Sequence, residues 1–169
     1  MAITKIQSES LNLADTYDFT GTVTGAGGTM TPAFSAYLSS AQSLGNNVNT
    51  TIICDTELFD TNNMYDTSTG VFTPTVAGKY FLYAKLFYSG AQNEGIADLY
   101  LQKNGTQGVS AFRLRPSGSS GQAIQVSGYG IANGSTDTFS LQTYHAAGSG
   151  ITAESGDGKT IFSAYRIIE

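Results

Sequence analysis

The segment Lys79–Ser89 alternates large apolar side chains over eleven residues, and it restricts what this chain can fold into. Its length and its aromatic content predict a long β-strand rather than a helix. One face of that strand carries only apolar side chains: Tyr80, Leu82, Ala84, Leu86 and Tyr88. The other face carries a mixture dominated by aromatic rings: Lys79, Phe81, Tyr83, Lys85, Phe87 and Ser89.

A strand in a lone sandwich needs one apolar face for the core and one polar face for water. Both faces are largely apolar here, so the second face is expected to meet another surface. That surface is either a loop or arm of the same chain or a neighbouring subunit. We favour the neighbouring subunit, and the interface residues that we predict are Phe81, Tyr83 and Phe87.

The remaining pattern is also β, without any segment of sustained helical periodicity. Runs of apolar and alternating residues are separated by clusters rich in Gly, Asn and Ser, as in a sandwich. The further predicted strands are Ala33–Leu38, Thr50–Thr56, Gly70–Pro74, Ala97–Lys103, Ser110–Arg115, Gln122–Ala132, Asp137–Tyr144 and Thr160–Ile168. Asn104-Gly105 is suited to a tight hairpin turn. In Gln122–Ala132 the alternation shifts at Gly128-Tyr129-Gly130-Ile131, which predicts a β-bulge.

Residues 1–30 differ from the rest, and we interpret them as an arm that precedes a globular domain at residues 31–169. The arm ends in the glycine-rich hinge Gly25–Gly28. Exposed tails rarely carry many apolar groups, so we expect this one to dock to another protein. The predicted docking residues are Ile3, Ile6, Leu11, Leu13, Tyr17, Phe19 and Val23.

The charge balance argues against nucleic acid and anionic membranes as partners. The 169-residue chain carries 8 Lys and Arg against 13 Asp and Glu, a net charge of −5, and phosphate-binding surfaces are basic. Charged residues make up only 12% of the chain, about half the usual share, which suggests that part of the surface is hidden in an assembly. We expect no membrane segment and no signal peptide.

No set of residues suggests catalysis, and we expect no catalytic, metal or cofactor site. His145 is the only histidine and Cys54 the only cysteine, so neither a zinc site nor a catalytic triad can be assembled from them. Cys54 follows Ile52-Ile53, which is typical of a small buried hydrophobic residue. The segment Glu154–Gly158 lacks the residue pattern of a calcium loop, so we expect a plain exposed loop there.

Several of these motifs resemble the C1q/TNF-like jelly-roll family. Ala33–Ala36 is similar to the opening strand of that family, and residues 71–81 are similar to its central block. Leu99–Gly105 resembles its hairpin, and Ile161–Tyr165 resembles its closing strand. The resemblance covers about residues 33–168 and implies an all-β sandwich that works as a trimer and binds other molecules rather than catalysing a reaction.

The arm, in turn, resembles the opening of virion structural proteins of tailed phages. That resemblance implies a non-enzymatic, trimeric capsid decoration or cement protein that is made in the host cytoplasm and anchored by its arm. The expected partners are two further copies of the chain and another virion protein, most directly the major capsid protein. The alternative is a receptor-binding head or tail fibre knob that recognises a host surface glycan or protein through Ser117–Gly121 and Ala146–Lys159, with Tyr144 nearby.

Overall fold

The computed structural model describes residues 31–90, 95–115, 121–148 and 150–167. The predicted arm, with its seven docking residues and the boundary drawn after residue 30, lies outside these residues. The described strands are, in chain order, β1 Ala33–Tyr37, β2 Gln42–Ser43, β3 Thr50–Thr51, β4 Thr56–Asp60, β5 Tyr65–Asp66, β6 Val71–Phe72, β7 Gly78–Ser89, β8 Ala97–Lys103, β9 Thr106–Leu114, β10 Gln122–Ala132, β11 Phe139–His145, β12 Thr152–Ala153 and β13 Ile161–Arg166.

The strands form two antiparallel sheets that pack face to face as a jelly-roll sandwich, which confirms the predicted all-β fold. In sheet A the order is β2-β12-β7-β13-β1-β4, and β10 pairs with β7 along its other edge. In sheet B the order is β5-β6-β11-β8-β9, and β3 also pairs with β11. β7 is therefore the central strand of sheet A, with β10 on one side and β13 on the other.

The burial of the β7 side chains shows the surroundings of each of the two predicted faces. The face that runs from Tyr80 to Tyr88 is at most 1% exposed and forms the centre of the core. The opposite face, from Phe81 to Ser89, is only partly buried. The tyrosine hydroxyls of the buried face are satisfied, because Tyr80 donates to the Val76 carbonyl at 2.7 Å and Tyr88 pairs with the Thr143 hydroxyl at 2.5 Å.

Stacked aromatic rings fill the core at one end of the sandwich. Phe34 lies parallel to Tyr65 at a centroid distance of 4.5 Å and contacts Phe72 at 4.6 Å and Phe162 at 5.0 Å. These rings come from strands of both sheets, so their packing holds the two layers together. Each buried ring of this size contributes roughly 1.5–3 kcal/mol by leaving water.

The predicted strand Thr50–Thr56 is wrong in its extent. Thr50–Thr51 pairs with β11 in sheet B, whereas Thr56–Asp60 pairs with β1 in sheet A. The chain crosses between the sheets over residues 52–55, where only the Ile52 amide still bonds to a strand, donating to the Leu141 carbonyl of β11 at 2.9 Å. Ile52 and Cys54 are fully buried during this crossing, so the apolar alternation that predicted a strand reflects inward packing and not a ladder.

Two other predicted boundaries change. β9 begins at Thr106 rather than at Ser110, because Asn104-Gly105 closes a tight hairpin with φ of 52° and 74°. Such paired positive angles are the ones that this turn needs. The predicted loop Ala146–Lys159 contains the short strand β12, which pairs with both β2 and β7.

The bulge predicted in Gln122–Ala132 is absent, because β10 pairs with β7 without a register shift over its whole length. Gly128 and Gly130 occupy inward positions, where small residues are required. A Cβ on Gly130 would collide with the Phe139 ring, and one on Gly128 would meet the Ser110 side chain. The alternation is therefore intact, and Tyr129 points outward.

The sandwich has two ends that are formed by different segments of the chain. At the first end, which we call the arm end, the Pro32 carbonyl accepts a hydrogen bond from the Arg166 amide at 3.0 Å. The Ala33 carbonyl there accepts one from the Thr61 amide at 3.0 Å. Ser89 lies at the other end of β7. At about 3.3 Å per residue it is roughly 26 Å from the arm end along the strand, and we call this second end the loop end. Pro32, near the first described residue, therefore lies at the end of the sandwich opposite the loop end.

Candidate functional site

The outward face of sheet A carries a cluster of exposed aromatic rings near the arm end. Phe81 lies at the centre and pairs in register with Tyr129 on one side and Tyr165 on the other. Its ring centroid is 5.5 Å from that of Tyr129 and 5.4 Å from that of Tyr165. Aromatic pairs favour these distances, so the three rings form one continuous surface across three strands.

Two further exposed apolar side chains lie on the same face of sheet A. Ile131 follows Tyr129 on the same face of β10, and Phe59 pairs with Ser35 on the same face of β4. Tyr129 is 71% exposed, Ile131 65%, Phe59 50% and Tyr165 39%. We call Phe59, Phe81, Tyr129, Ile131 and Tyr165 the aromatic patch. Exposed apolar side chains gathered on one face of a sheet commonly mark an interaction site.

The three predicted interface residues have different surroundings. Phe81 is the centre of the aromatic patch, and Tyr83 lies two residues along β7, partly buried and in register with Ser127 and Ser163. Phe87 lies near the loop end, where its own chain partly covers it. The Lys159 ammonium group lies 5.7 Å from the centroid of the Phe87 ring, and a Cβ on Gly121 would collide with that ring.

The segment that covers Phe87 is tied to β7 by several hydrogen bonds. The Glu154 amide donates to the Phe87 carbonyl at 2.9 Å, and Lys85 donates to the Gly158 carbonyl at 2.5 Å. Hydrogen bonds from Ser89 and Lys159 lower the pKa of Glu154. Part of the outward face of β7 therefore meets a loop of the same chain, and the aromatic patch is the part left open.

Four members of the aromatic patch were missed by sequence reasoning, which named only Phe81. For Tyr129 and Ile131 the signal was present, because strict alternation through Gln122–Ala132 puts both on the face opposite Ile124. Tyr165 follows the buried Ala164 and could be placed in the same way. Phe59 could not be found, because its strand begins after the crossing between the sheets.

The single histidine and the single cysteine are both buried in the interior. His145 is 1% exposed, and its Nε2 lies 3.2 Å from the Leu44 carbonyl oxygen. Cys54 is fully buried, and burial together with the charge of Asp55 raises the pKa of its thiol to about 12. The thiol is thus protonated at neutral pH, and a thiol is a poor nucleophile.

Within the described ranges, no group of three or more His, Cys, Asp or Glu side chains is arranged to hold a metal ion. The same part of the chain contains no helix that is long and apolar enough to span a membrane.

Two polar segments meet at the loop end. The Asn47 side-chain oxygen accepts a hydrogen bond from the Tyr144 hydroxyl at 3.1 Å, and the Asn46 side-chain oxygen accepts one from the Gly148 amide at 3.2 Å. Val48, between these contacts and β3, is 54% exposed. Tyr144 and the beginning of the predicted loop Ala146–Lys159 therefore lie together, but the Tyr144 hydroxyl is already hydrogen-bonded to Asn47. The other predicted binding segment, Ser117–Gly121, lies outside the described residues except for Gly121.

Comparison with known proteins identifies the fold and the family. The profile of the C1q domain matches residues 33–166. The globular domain of zebrafish complement 1qA protein superposes with a TM-score of 0.61 at 20% identity, over 80% of this chain and 96% of that one. Murine APRIL superposes with a TM-score of 0.56 at 9% identity, over 80% of this chain and 98% of that one. No curated protein matches the sequence. The chain belongs to the C1q domain family, on a match that spans residues 33–166 of its 169 residues.

Proposed function

We propose that three copies of this chain assemble through the aromatic patch into a homotrimer. The observation that carries the proposal is the exposure of Tyr129, Ile131 and Phe59 on one face of an otherwise well-packed sandwich. A closed symmetric assembly would bury all of these groups at once. C1q and TNF domains form homotrimers, which supports three as the number of copies.

Within this assembly the predicted interface residues differ in importance. Phe81 joins Tyr129 and Tyr165 in the open part of the face, and Tyr83 lies beside it. Phe87 is packed under Lys159, so it supports the surface from within its own subunit. We therefore place the main contact on Phe81 and its two aromatic neighbours.

The homotrimer is proposed to act as a non-enzymatic structural protein of a phage particle, made in the host cytoplasm and incorporated into the virion. Residues 1–30 would dock to another virion protein, most directly the major capsid protein, by burying their seven apolar side chains. The support is the resemblance of that segment to phage virion proteins, together with the position of Pro32, which follows it closely in the chain, at the arm end. Three linked arms would bind more tightly than one through their high effective concentration.

A second candidate function is recognition of a host surface glycan or protein by a head or tail fibre knob. The observation that favours it is the position of the loop end, which is opposite Pro32; if the preceding segment docks to the particle, the loop end would face away from it. C1q-like domains are typically binding domains without enzymatic activity. This function uses the same homotrimer and differs in the number of copies and in the outward partner.

Deletion of residues 2–30 tests the anchoring role. The truncated protein is expected to remain a homotrimer but to be absent from purified particles, whereas the full chain co-purifies with them. Truncated protein that stays bound to particles would contradict anchoring by the arm. Counting copies on intact particles separates the two functions, because decoration requires hundreds of copies and a fibre only a few homotrimers.

A further inference from the structure

A polar site lies on the outward face of sheet B, on strands where the sequence predicted no functional residue. Asp98 on β8 pairs in register with Arg113 on β9. The Arg113 guanidinium donates two hydrogen bonds to the carboxylate, from Nε to Oδ1 at 2.6 Å and from Nη2 to Oδ2 at 2.7 Å. The Tyr100 hydroxyl donates to the same Oδ2 at 2.6 Å. We call these three side chains the Asp98 triad.

The burial within the triad is asymmetric. Asp98 is 2% exposed and Tyr100 8%, whereas the Arg113 side chain is 61% exposed. Burial alone would raise the pKa of Asp98, but the hydrogen bonds from Arg113 and Tyr100 outweigh it and lower that pKa. Arg113 and Asp98 are therefore both charged, and their charges cancel at the surface.

The triad still has hydrogen-bonding groups to offer. Nε and Nη2 of Arg113 are engaged by the carboxylate, and Nη1 has no hydrogen-bond partner among the described residues. Because the Tyr100 hydroxyl uses its hydrogen on Asp98, its oxygen keeps lone pairs that can accept a hydrogen bond. A donor and an acceptor are thus held close together by a rigid, buried carboxylate.

A cavity of about 230 Å³ opens beside these groups, and its walls are Asp98, Tyr100, Ala111, Phe112 and Arg113. Phe112 pairs with the inward-facing Leu99, so strand alternation directs its ring away from this face. The volume is below the 300–1,000 Å³ or so of pockets for drug-sized ligands. It suits one small ring.

The charges and the donors of this cavity select the class of ligand. Because the Asp98 carboxylate and the Arg113 guanidinium neutralise each other, a charged ligand gains little net attraction here. A neutral polyhydroxyl compound needs no net charge and supplies the acceptor and the donor that the triad lacks. We propose that this cavity binds one neutral sugar residue, with Nη1 of Arg113 donating to sugar hydroxyl oxygens and the Tyr100 oxygen accepting from a hydroxyl.

This inference does not depend on the aromatic patch or on where a homotrimer sits, because the triad lies on the other sheet. If the protein acts as a receptor-binding knob, the cavity supplies a contact to a glycan. That contact is separate from the two predicted binding segments, Ser117–Gly121 and Ala146–Lys159.

The test is an NMR titration of the full chain with methyl glycosides of glucose, galactose and N-acetylglucosamine, and separately with glucuronate and with sulfate. At least one neutral glycoside is expected to give saturable shifts of the amides of residues 98–100 and 111–113 at millimolar concentration. The anions are expected to give none. An absence of saturable shifts with all neutral glycosides would overturn the proposal, as would binding of the anions alone.

Two variants tie the binding to the triad. Arg113→Lys keeps a cation beside Asp98 but lacks the forked donors, and it should weaken binding about tenfold or more, as loss of a hydrogen bond from a charged group does. Ala111→Leu fills the cavity while leaving both members of the ion pair in the chain, and it should weaken binding similarly. Ala123→Leu, at an exposed alanine outside the cavity, is the control and should bind as the unaltered chain does. Unchanged binding in Ala111→Leu would contradict the assignment, and light scattering on each variant separates loss of binding from loss of assembly.

Discussion

Replacement of Tyr129 by serine should dissociate the proposed homotrimer without unfolding its subunits. Tyr129 is 71% exposed in the single chain, and a tyrosine buries roughly 150–250 Å² when it is enclosed. Burial of the exposed share at about 25 cal/mol per Å² contributes roughly 3–4 kcal/mol per subunit, or about 10 kcal/mol per homotrimer. That loss should shift half-dissociation to concentrations several orders of magnitude higher.

The subunit itself should tolerate this change, because Tyr129 contacts Phe81 at its edge and is otherwise open to solvent. Sedimentation equilibrium over a range of concentrations measures the association, and thermal unfolding measures the fold. Val48→Ser is the matched control, since Val48 is 54% exposed but lies at the loop end. If Tyr129→Ser associates as tightly as Val48→Ser, the aromatic patch is not the interface.

Three further results are expected. Arg113→Met strands the buried Asp98 carboxylate without its cation, so it should lower the melting temperature, and adding Asp98→Asn should restore most of the loss. The pKa of Asp98 is lowered in the fold. Its contribution to stability is therefore complete above about pH 4 and is lost as pH falls further. When unfolding is measured over a range of acid pH, the Asp98→Asn/Arg113→Met variant should lose less stability than the unaltered chain. Gly130→Ala should destabilise the chain by about 1–3 kcal/mol in denaturant unfolding, because the added methyl group meets the Phe139 ring, whereas Gly158→Ala, with open space around it, should be nearly neutral.

The central strand and the class of fold could be predicted from sequence because they depend on local patterns. The alternation in Lys79–Ser89 placed its buried face correctly, and the Asn104-Gly105 turn positioned the hairpin between β8 and β9. In both cases the signal is short-range, since side chains alternate with a period of two and the turn needs two residues with positive φ. Family motifs added the sandwich architecture.

The features that were missed depend on contacts between distant segments. Asp98 and Arg113 are 15 residues apart and meet only because the hairpin has one particular register. The extent of Thr50–Thr56 failed because the chain changes sheets there, which depends on neighbours that alternation does not identify. The glycines of β10 suggested a bulge, whereas the Phe139 ring, on a strand of the other sheet, explains one of them.

The mass of the full chain in solution tests the central claim most directly. Multi-angle light scattering at micromolar concentration is expected to give three times the 17.8 kDa of one chain, and Tyr129→Ser should shift that mass toward a single chain. A mass of one chain at every concentration would contradict assembly through the aromatic patch and would leave the exposed face of sheet A without its proposed partner.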